Sequence, residues 1–361
     1  MTYTKSIWLD LRFLKKDNNY SQFIYELILK FIKEKPEYLF NIYLDLSFAN
    51  LNFWENTKNI FPKAKYKSLR EQTHFTKKIS KDNNDYIIFF TYNKPLNFRW
   101  KFISFIPELS DFHFPNKQNY LKKYLNNLML KNSCKNALKI ICFDKKTSEE
   151  INDKLNISED KINILRPFFS ESDIISQNEI KDLKLNLEVK YNIKWNFIIY
   201  NSWTWTEKNL DKLIEVFKKI KQNEKEINLI ILDDNTIKNI DFRQKVINEK
   251  LTGKIFFIWN IWEYEKDYFY KNSLWIIFPH LYNVFPFSLT KALNYKINIL
   301  CSNLKNLKNI FWDKVEYFNP NNTSDIYKKI INLDKKNNNY SEIFEKNNIE
   351  NSLEDLKNII K

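Results

Sequence analysis

IIFPHLYNVFPFSLTKALNYKINIL, residues 276–300, is the stretch of the chain that decides the fold. It contains the end of one apolar run, 274–278, then a loop and a helical stretch, and then a second run, 297–301. The first run, LWIIF, is continuously apolar, which is typical of a parallel strand that is covered on both faces. A strand, a helix and a second strand predict one β-α-β unit of an α/β protein.

The same alternation continues through the rest of the chain. Apolar residues fall at helical spacing over 210–220, behind Thr206 as the expected cap of that helix. A doubly wound α/β fold with two Rossmann-like domains is therefore predicted. The other candidate strands are 6–11, 40–46, 86–91, 101–106, 137–143, 162–165, 197–201, 228–232 and 254–258.

The polar stretch that follows Pro167 has no clear period and marks the predicted domain boundary. We expect an N-terminal domain over 1–167, a C-terminal domain over 168–340, and a final helix over 341–361. That helix can return to the N-terminal domain. In paired domains of this type, ligands bind at the carboxyl ends of the strands and in the cleft that the domains face.

The counts of two residue types are unusual, because the chain has one glycine, Gly253, and ten tryptophans. An average protein of this length would have roughly 25 glycines. Glycine is the usual residue where the backbone needs a positive φ or must approach a ligand closely. The Lys-, Asn- and Ile-rich composition is typical of a genome poor in G and C, but such a genome should deplete tryptophan as well. Base composition therefore does not explain both counts.

The net charge is +14, and the basic residues are scattered along the chain. No nucleic-acid motif accompanies them, so we expect no nucleic-acid partner. Phosphorylated substrates, an anionic membrane surface or a lysine-rich genome each account for the charge. The three cysteines have no CxxC spacing and are expected to be reduced thiols. Without a signal peptide or an apolar run near ~18 residues, we expect a cytoplasmic protein, peripheral at most at the inner membrane face.

Four ordered blocks resemble the retaining glycosyltransferases of family 4 (group 1), which have the GT-B fold. The opening strand SIWLDLRFL, 6–14, is similar to that of the family. The resemblance implies a hexosyl transfer from a nucleotide sugar to a glycan or lipid-linked acceptor in cell-surface polysaccharide synthesis. It implies no cofactor and no metal ion. The blocks are YNSWTWTEKNLDKLIEVFKKIK (200–221), INLIILDD (227–234), KIFFIWNIWEYEKDYFYKNS (254–273) and the stretch from IIFPH to YFNP (276–320).

Several tryptophans stand at glycine positions of the family pattern. Trp8, Trp259 and Trp312 each replace one of its glycines, and Trp203 and Trp205 occupy its glycine loop. Our hypothesis is an alternative genetic code, in which UGA encodes glycine but has been translated here as tryptophan. The other interpretation is that these residues are genuine core or surface aromatics. As written, an indole in the loop would crowd the backbone N–H groups that a phosphate approaches.

The resemblance also assigns a donor site. Lys208 matches a basic residue that neutralises the pyrophosphate, and His280 stands at the family's serine before the donor loop. The two glutamates of the family's E-x7-E pattern fall on Asn283 and Lys291, of which the lysine cannot accept a hydrogen bond. Ser288 is expected to cap the helix that follows. The predicted donor site comprises Lys208, Trp203, Trp205, His280, Asn283, Phe285, Phe287, Ser288 and Lys291.

The first domain should supply a histidine, and its position falls on Pro107. The acid that follows in the family pattern falls on Glu108. His113, six residues beyond Pro107, is the remaining histidine candidate in this region. No catalytic residue is therefore identified from the sequence.

Two functions remain open from these residues. The first is a glycosyltransferase with atypical active-site residues, whose partners are a nucleotide sugar and a glycan or lipid-linked acceptor. The alternative is a non-catalytic GT-B protein that binds a glycan or a partner glycosyltransferase. The alternative gains from the loss of both glutamates and the histidine, because removing charged partners at a pyrophosphate site costs orders of magnitude in rate.

Overall fold

The computed structural model describes residues 3–16, 18–51, 53–79, 85–114, 120–171, 190–191, 196–201, 206–232, 240–259, 261–334 and 338–361. The chain divides into two compact units. The first unit comprises Met1–Ser170 and Asn347–Lys361, and the second comprises Glu171–Lys346. Each unit is built on its own parallel sheet.

The sheet of the first unit has seven parallel strands among the described residues, in the order β3-β2-β1-β4-β5-β6-β7. The register pairs Ile7 of β1 with Phe40 of β2 on one side and with Tyr86 of β4 on the other. The point at which the strand order reverses therefore lies between β1 and β4. The strands are β1 (Lys5–Asp10), β2 (Tyr38–Tyr43), β3 (Thr57–Ile60), β4 (Tyr86–Phe89), β5 (Phe102–Phe105), β6 (Lys139–Cys142) and β7 (Ile162–Ile164).

Helices connect these strands in the first unit. The first helix begins after Asn18, whose side chain accepts a hydrogen bond from the N–H of Ser21 at 2.8 Å. Its apolar residues recur at helical spacing and are buried against the sheet. The helices are α1 (Asn19–Lys33), α2 (Thr76–Ile79), α3 (Ser110–His113), α4 (Tyr120–Asn136) and α5 (Lys145–Leu155), with a π-helical turn at Glu71–Phe75.

The sheet of the second unit has six parallel strands in the described part of the chain, in the order β10-β9-β8-β11-β12-β13. This is the doubly wound 3-2-1-4-5-6 order, and its reversal lies between β8 and β11. The strands are β8 (Phe197–Asn201), β9 (Asn228–Leu232), β10 (Ile255–Ile258), β11 (Trp275–Phe278), β12 (Asn298–Ser302) and β13 (Glu316–Phe318). The helices are α6 (Leu210–Gln222), α7 (Ile240–Asn248), α8 (Glu263–Asn272), α9 (Thr290–Asn294), α10 (Lys305–Phe311), α11 (Thr323–Ile331) and α12 (Ser341–Lys346).

The fold prediction is confirmed, since both units are doubly wound parallel α/β structures. Three details of the prediction are wrong. Helix α6 begins at Leu210 after Asn209, so Thr206 does not cap it and lies instead in a preceding 3₁₀ turn. Strands β3 and β13 were not predicted. The segment 341–361 forms two helices, α12 and α13 (Ile349–Ile360).

Helix α13 packs in the first unit, where it contacts α1. Arg166 forms two hydrogen bonds with the Asp355 carboxylate, of 2.9 Å from Nε and 2.7 Å from Nη2. The side chain of Lys139 donates to the carbonyl of Ile359 at 2.5 Å. These contacts attach the last helix to the edge of the first sheet that holds β6 and β7.

Candidate functional site

The predicted donor residues that the structure describes come from segments that follow β8 and β11. These two strands are neighbours at the reversal point of the second sheet, where their carboxyl ends meet at one edge. Lys208 follows β8, and His280 and Asn283 follow β11. Trp203 and Trp205 lie outside the described residues.

His280 is the most unusual polar residue at this edge. Its side chain is 1% exposed, and neither ring nitrogen has a hydrogen-bond partner within the part of the chain that the structure describes. Its ring packs on Phe278, with 3.5 Å between the ring centroids. Burial, and then the positive charge of Lys208, lower the pKa of His280 well below its ordinary value. The imidazole is therefore neutral near pH 7, with one donor and one acceptor nitrogen.

Lys208 ends the 3₁₀ turn Thr206–Lys208 that precedes α6. The N–H of Leu281 donates to the carbonyl of Glu207 at 2.7 Å, which joins this turn to the segment after β11. The backbone of Asn209 is left-handed, with φ of 60°, and its side chain donates to the carbonyl of Pro320 at 2.8 Å. The position of Lys208 is thus set by bonds to two neighbouring loops.

Asn283 presents a second buried polar atom without a partner, since its Oδ1 has none among the described residues. The backbone around it is fixed from α10, where the Asn306 side chain donates to the carbonyls of Asn283 and Val284. The rings of Phe285 and Phe287 pack against each other, with 4.8 Å between their centroids. Asn283 and His280 therefore offer hydrogen-bonding groups from one short loop.

Lys291 and Ser288 have other roles than those expected. The ammonium of Lys291 forms an ion pair with Asp267 of α8, at 2.8 Å. Ser288 lies inside the 3₁₀ turn Phe287–Leu289, and the residue before α9 is Leu289, which makes no side-chain cap bond. The prediction of a Ser288 cap is wrong, and the hydroxyl of Thr290 donates instead to the carbonyl of Phe287 at 2.7 Å.

The first unit has a cavity of about 290 Å³ at the carboxyl ends of β1, β4 and β5. Pro107 and Glu108 line it, and the Ser110 hydroxyl donates to the Glu108 carboxylate at 2.7 Å. His113 instead bonds to Glu150 of α5, with 2.6 Å between Nε2 and Oε2, and does not line the cavity. The cavity is lined by Phe13, Lys15, Asn18, Tyr20, Ser21, Tyr66, Lys67, Thr91, Tyr92, Asn93, Pro107, Glu108, Leu109, Ser110, Phe112, Asn126, Asn127 and Leu130.

A buried charge cluster supports one wall of this cavity. The Arg12 guanidinium binds Asp10 through two bonds of 2.7 Å and Glu71 through one of 2.6 Å, and it stacks 3.4 Å from the ring centroid of Phe75. The other Glu71 oxygen accepts a hydrogen bond from the N–H of Lys67 at 2.9 Å. Burial raises the pKa of Glu71, and Arg12 opposes that rise. This cluster was not predicted from the sequence, although an Asp-x-Arg spacing at the end of an apolar strand is visible in SIWLDLRFL.

Comparison with known proteins bears on the second unit in particular. Residues 186–351 match the family model described as glycosyl transferases group 1. This match, which runs from before β8 into α13, supports the family that the sequence blocks resemble. Among the described residues, no helix is long and apolar enough to cross a membrane.

Solved structures align with nearly the whole chain. A glycosyltransferase from Rickettsia africae is 17% identical, with a TM-score of 0.61, and the alignment covers 99% of this chain and 94% of that one. Anabaena Alr3699/HepE in complex with UDP-glucose is 11% identical, with a TM-score of 0.70 and 99% of each chain covered. The chain has the GT-B glycosyltransferase fold. At these identities the likeness shows the fold alone.

One curated relative is the O-antigen chain mannosyltransferase RfbU of Salmonella typhimurium. It is 19% identical over 230 residues, which are 64% of this chain. The chain spans 60% of the length of that relative.

Proposed function

We propose that the chain is a group 1 glycosyltransferase that moves a hexosyl group from a nucleotide sugar to a glycan or lipid-linked acceptor. The observation that carries the proposal is the buried His280, close enough to Lys208 for that charge to lower its pKa. Both lie within the segment that matches the family model. A cation and an uncharged hydrogen-bonding ring at the carboxyl edge of a doubly wound sheet suit a diphosphate and the sugar it carries.

In the proposed reaction, the bond between the anomeric carbon and the phosphate oxygen breaks, and the acceptor oxygen bonds to that carbon with retention. The proton of the acceptor hydroxyl passes to the departing diphosphate. The departing diphosphate gains negative charge, which the Lys208 ammonium offsets. His280 and Asn283 contact the donor through neutral hydrogen bonds. We propose no metal ion and no cofactor in this step.

The donor is proposed to be a nucleoside diphosphate hexose. HepE has been solved with UDP-glucose, and RfbU is a mannosyltransferase, which supports this class. Phe285, Phe287 and Ser288, from the same loop as Asn283, are proposed to lie around the same ligand. Lys291 is excluded from the phosphate-binding group, because its ammonium is paired with Asp267.

Binding and hydrolysis of the donor test this proposal. The purified protein is titrated calorimetrically with UDP-glucose and GDP-mannose, and release of free sugar is followed by mass spectrometry. We expect a Kd in the micromolar to millimolar range, weakened at least tenfold in Lys208→Ala and in His280→Ala. Lys225→Ala removes an exposed lysine of the same unit and serves as the control. Binding of neither nucleotide sugar contradicts the proposal.

The alternative is a non-catalytic protein that binds a glycan or a partner glycosyltransferase. It is favoured by Asn283 and Lys291 at the two glutamate positions and by Pro107 at the histidine position. The same assay separates the two functions. Sugar binding with no nucleotide binding and no turnover supports the alternative.

We also propose a cytoplasmic location with contact to an anionic membrane at its inner face. Helix α4 supports this contact, because its Tyr124, Leu125 and Leu128 side chains are 64%, 41% and 39% exposed and lysines of the same helix flank them in the sequence. Cosedimentation with vesicles of phosphatidylglycerol tests it against vesicles of phosphatidylcholine. Replacing the three residues by serine should reduce binding several-fold, whereas Leu46→Ser, at another exposed leucine, should not. Equal binding to both lipids contradicts the proposal.

Finally, we propose that tryptophans of this chain stand for glycines. Trp312 supports this, because its backbone has φ of 46° and ψ of −119° at the end of α10. That region suits glycine and is strained for a bulky residue. The C-terminal end of a helix is also where glycine is most common.

The other described tryptophans are consistent with the same proposal. The Nε1 groups of Trp8 and Trp275 are buried without a partner among the described residues, although a buried indole N–H usually has one. Four further tryptophans are 42–68% exposed, which is unusual for so large an apolar side chain. These are Trp54, Trp100, Trp259 and Trp262. Sequencing the ten codons, with peptide masses from the native source, tests the proposal, and ten UGG codons contradict it.

A further inference from the structure

The lining of the cavity in the first unit is mostly uncharged, and Glu108 is the one carboxylate in it. Hydroxyl and amide groups of Tyr20, Tyr66, Thr91 and Asn93 line it together with the aromatic ring of Phe112. The lysines that line it, in contrast, are exposed at its rim. Its volume of about 290 Å³ is at the lower end for small-ligand sites. Hydroxyl, amide and aromatic groups together suit a sugar ring, which has both polar edges and apolar faces.

Most hydroxyl groups of this lining already have protein partners. Tyr20 donates to the carbonyl of Phe90 at 2.5 Å, and the hydroxyls of Tyr66 and Thr91 lie 2.6 Å apart. Asn93 differs, because its Oδ1 is buried and has no partner in the described part of the chain. The residue is 6% exposed, and its own N–H donates to the Thr91 hydroxyl at 3.3 Å, which fixes its backbone. A buried acceptor of this kind calls for a donor, which a ligand hydroxyl or an ordered water can supply.

The next residue, Lys94, is buried under the same loop. Its side chain is 2% exposed, and its ammonium donates to the Asn132 side chain at 2.7 Å and to the carbonyl of Pro95 at 3.2 Å. The ammonium also lies 4.8 Å from the ring centroid of Phe102. No carboxylate forms an ion pair with it among the described residues. A buried ammonium held by neutral groups is costly, so its retention needs a reason.

Asn132 belongs to α4, the helix that also contributes Asn126 and Asn127 to the cavity lining. The same helix is attached to β5 by a 2.9 Å bond between the hydroxyls of Ser133 and Ser104. The Lys94–Asn132 bond therefore joins two walls of the cavity, namely the loop that carries Asn93 and helix α4.

We propose that Asn93 is a specificity-determining residue that accepts a hydrogen bond from a hydroxyl group of an uncharged saccharide. Lys94 is a positioning residue that holds the Asn93 loop against α4 through Asn132. This inference rests on the proposed function, since the saccharide is the end of the glycan acceptor that the cavity receives.

Saturation-transfer NMR on the full chain tests this inference, with glucose, mannose, galactose and N-acetylglucosamine, and with their 6-phosphates. At least one uncharged sugar should bind, and Asn93→Ala should weaken it about tenfold, which is about 1.4 kcal/mol. Asn248→Ala, at an exposed asparagine of the other unit, should bind as the unaltered chain does. Binding of only the phosphorylated sugars, of no sugar, or equal binding by Asn93→Ala each overturns the inference.

The positioning role of Lys94 has a separate measurement. Lys94→Met removes a buried ammonium and keeps the shape, so the melting temperature should stay the same or rise while sugar affinity falls several-fold. If Lys94 were purely structural, the melting temperature and the sugar affinity would fall together. Asn132→Ala should also weaken sugar binding, without touching the cavity. Unchanged affinity in both variants overturns the positioning role.

The donor titration distinguishes failure of this inference from failure of the proposed function. If UDP-glucose or GDP-mannose binds but Asn93→Ala does not change the affinity for uncharged sugars, the inference fails and the proposed function stands. If neither nucleotide sugar binds but an uncharged sugar binds through Asn93, the inference stands and the transferase function fails.

Discussion

Lys291 of α9 forms an ion pair with Asp267 of α8, with 2.8 Å between Nζ and Oδ1. A glutamate at position 291 would be repelled by the Asp267 carboxylate, whereas the lysine is attracted to it. The pair lies mostly within the protein, with the two side chains 27% and 14% exposed. Asp267 thus supplies a charge partner for Lys291 on a neighbouring helix.

The coupling of this pair can be measured. A double-mutant cycle of Lys291→Met and Asp267→Asn, followed by urea unfolding, should give a coupling energy of about 1 kcal/mol. The more exposed Lys212–Glu215 pair of α6, at 3.1 Å, is the matched control and should give less than about 0.5 kcal/mol. A smaller coupling for Lys291 than for Lys212 would show that the pair is incidental.

Arg12 is predicted to be essential to the stability of the first unit. Arg12→Met leaves the buried carboxylates of Asp10 and Glu71 without their cation, at a cost of about 3–5 kcal/mol in the free energy of unfolding. Neutralising both acids in the same chain, by Asp10→Asn and Glu71→Gln, should recover most of that loss. Denaturant unfolding measures both variants, and failure of the triple variant to recover would mean that the arginine acts through packing on Phe75 alone.

Lys94 should make stability depend on pH in the alkaline range. Burial lowers its pKa to about 8 in the folded chain, against 10.5 for the free side chain. Between these values the unfolded chain binds a proton at Lys94 that the folded chain does not. The free energy of unfolding should therefore rise between pH 8 and pH 10.5 because of Lys94. The gain should reach about 3 kcal/mol and be absent in Lys94→Met. Parallel stability curves for the two proteins over this range would exclude the effect.

His280 should make the free energy of unfolding depend on pH in the acid range. Its folded pKa lies well below the ordinary value of 6.5, so stability is lost as the pH falls below 6.5 and the unfolded chain takes up the proton. His280→Phe should remove this loss, and because no ring nitrogen has a described partner, it should not destabilise the protein at pH 8. The same variant should lose nucleotide-sugar binding. A large loss of stability at pH 8 would indicate a structural hydrogen bond instead.

Trp312→Gly is predicted to stabilise the second unit. Relief of the positive φ should add about 1–2 kcal/mol, less the contact of the indole with Lys346 at 4.0 Å. Asn156→Gly is the control, since asparagine tolerates its left-handed backbone and little change is expected. Thermal unfolding compares the two. A lower melting temperature for Trp312→Gly would argue for a genuine aromatic at this position.

The central strands of each sheet could be predicted from the sequence because burial on both faces makes them continuously apolar. Strands β3 and β13 could not, because they are edge strands, TKNI and EYF, whose side chains are mostly half-exposed. Ser288 was predicted as a cap from residue type alone, but a 3₁₀ turn shifts the helix start beyond it.

The sites were less predictable than the fold. The order of the motifs places Lys208 after β8, and His280 and Asn283 after β11, in segments that begin at the carboxyl ends of these strands. Asn93 and Lys94 belong to no recognisable sequence motif. Asn93 lines the cavity, whereas Lys94 is buried beneath the same loop. Only the packing of α4 distinguishes adjacent residues of this kind.

The return of α13 to the first unit has a consequence for how the chain folds during synthesis. Residues 171–346 leave the ribosome before 347–361, so the second unit can fold while the first still lacks its last helix. The Arg166–Asp355 and Lys139–Ile359 bonds can close only after all 176 intervening residues of the second unit have been made. A truncation that removes α13 should therefore weaken the first unit, even though the lost residues are farthest from it along the chain.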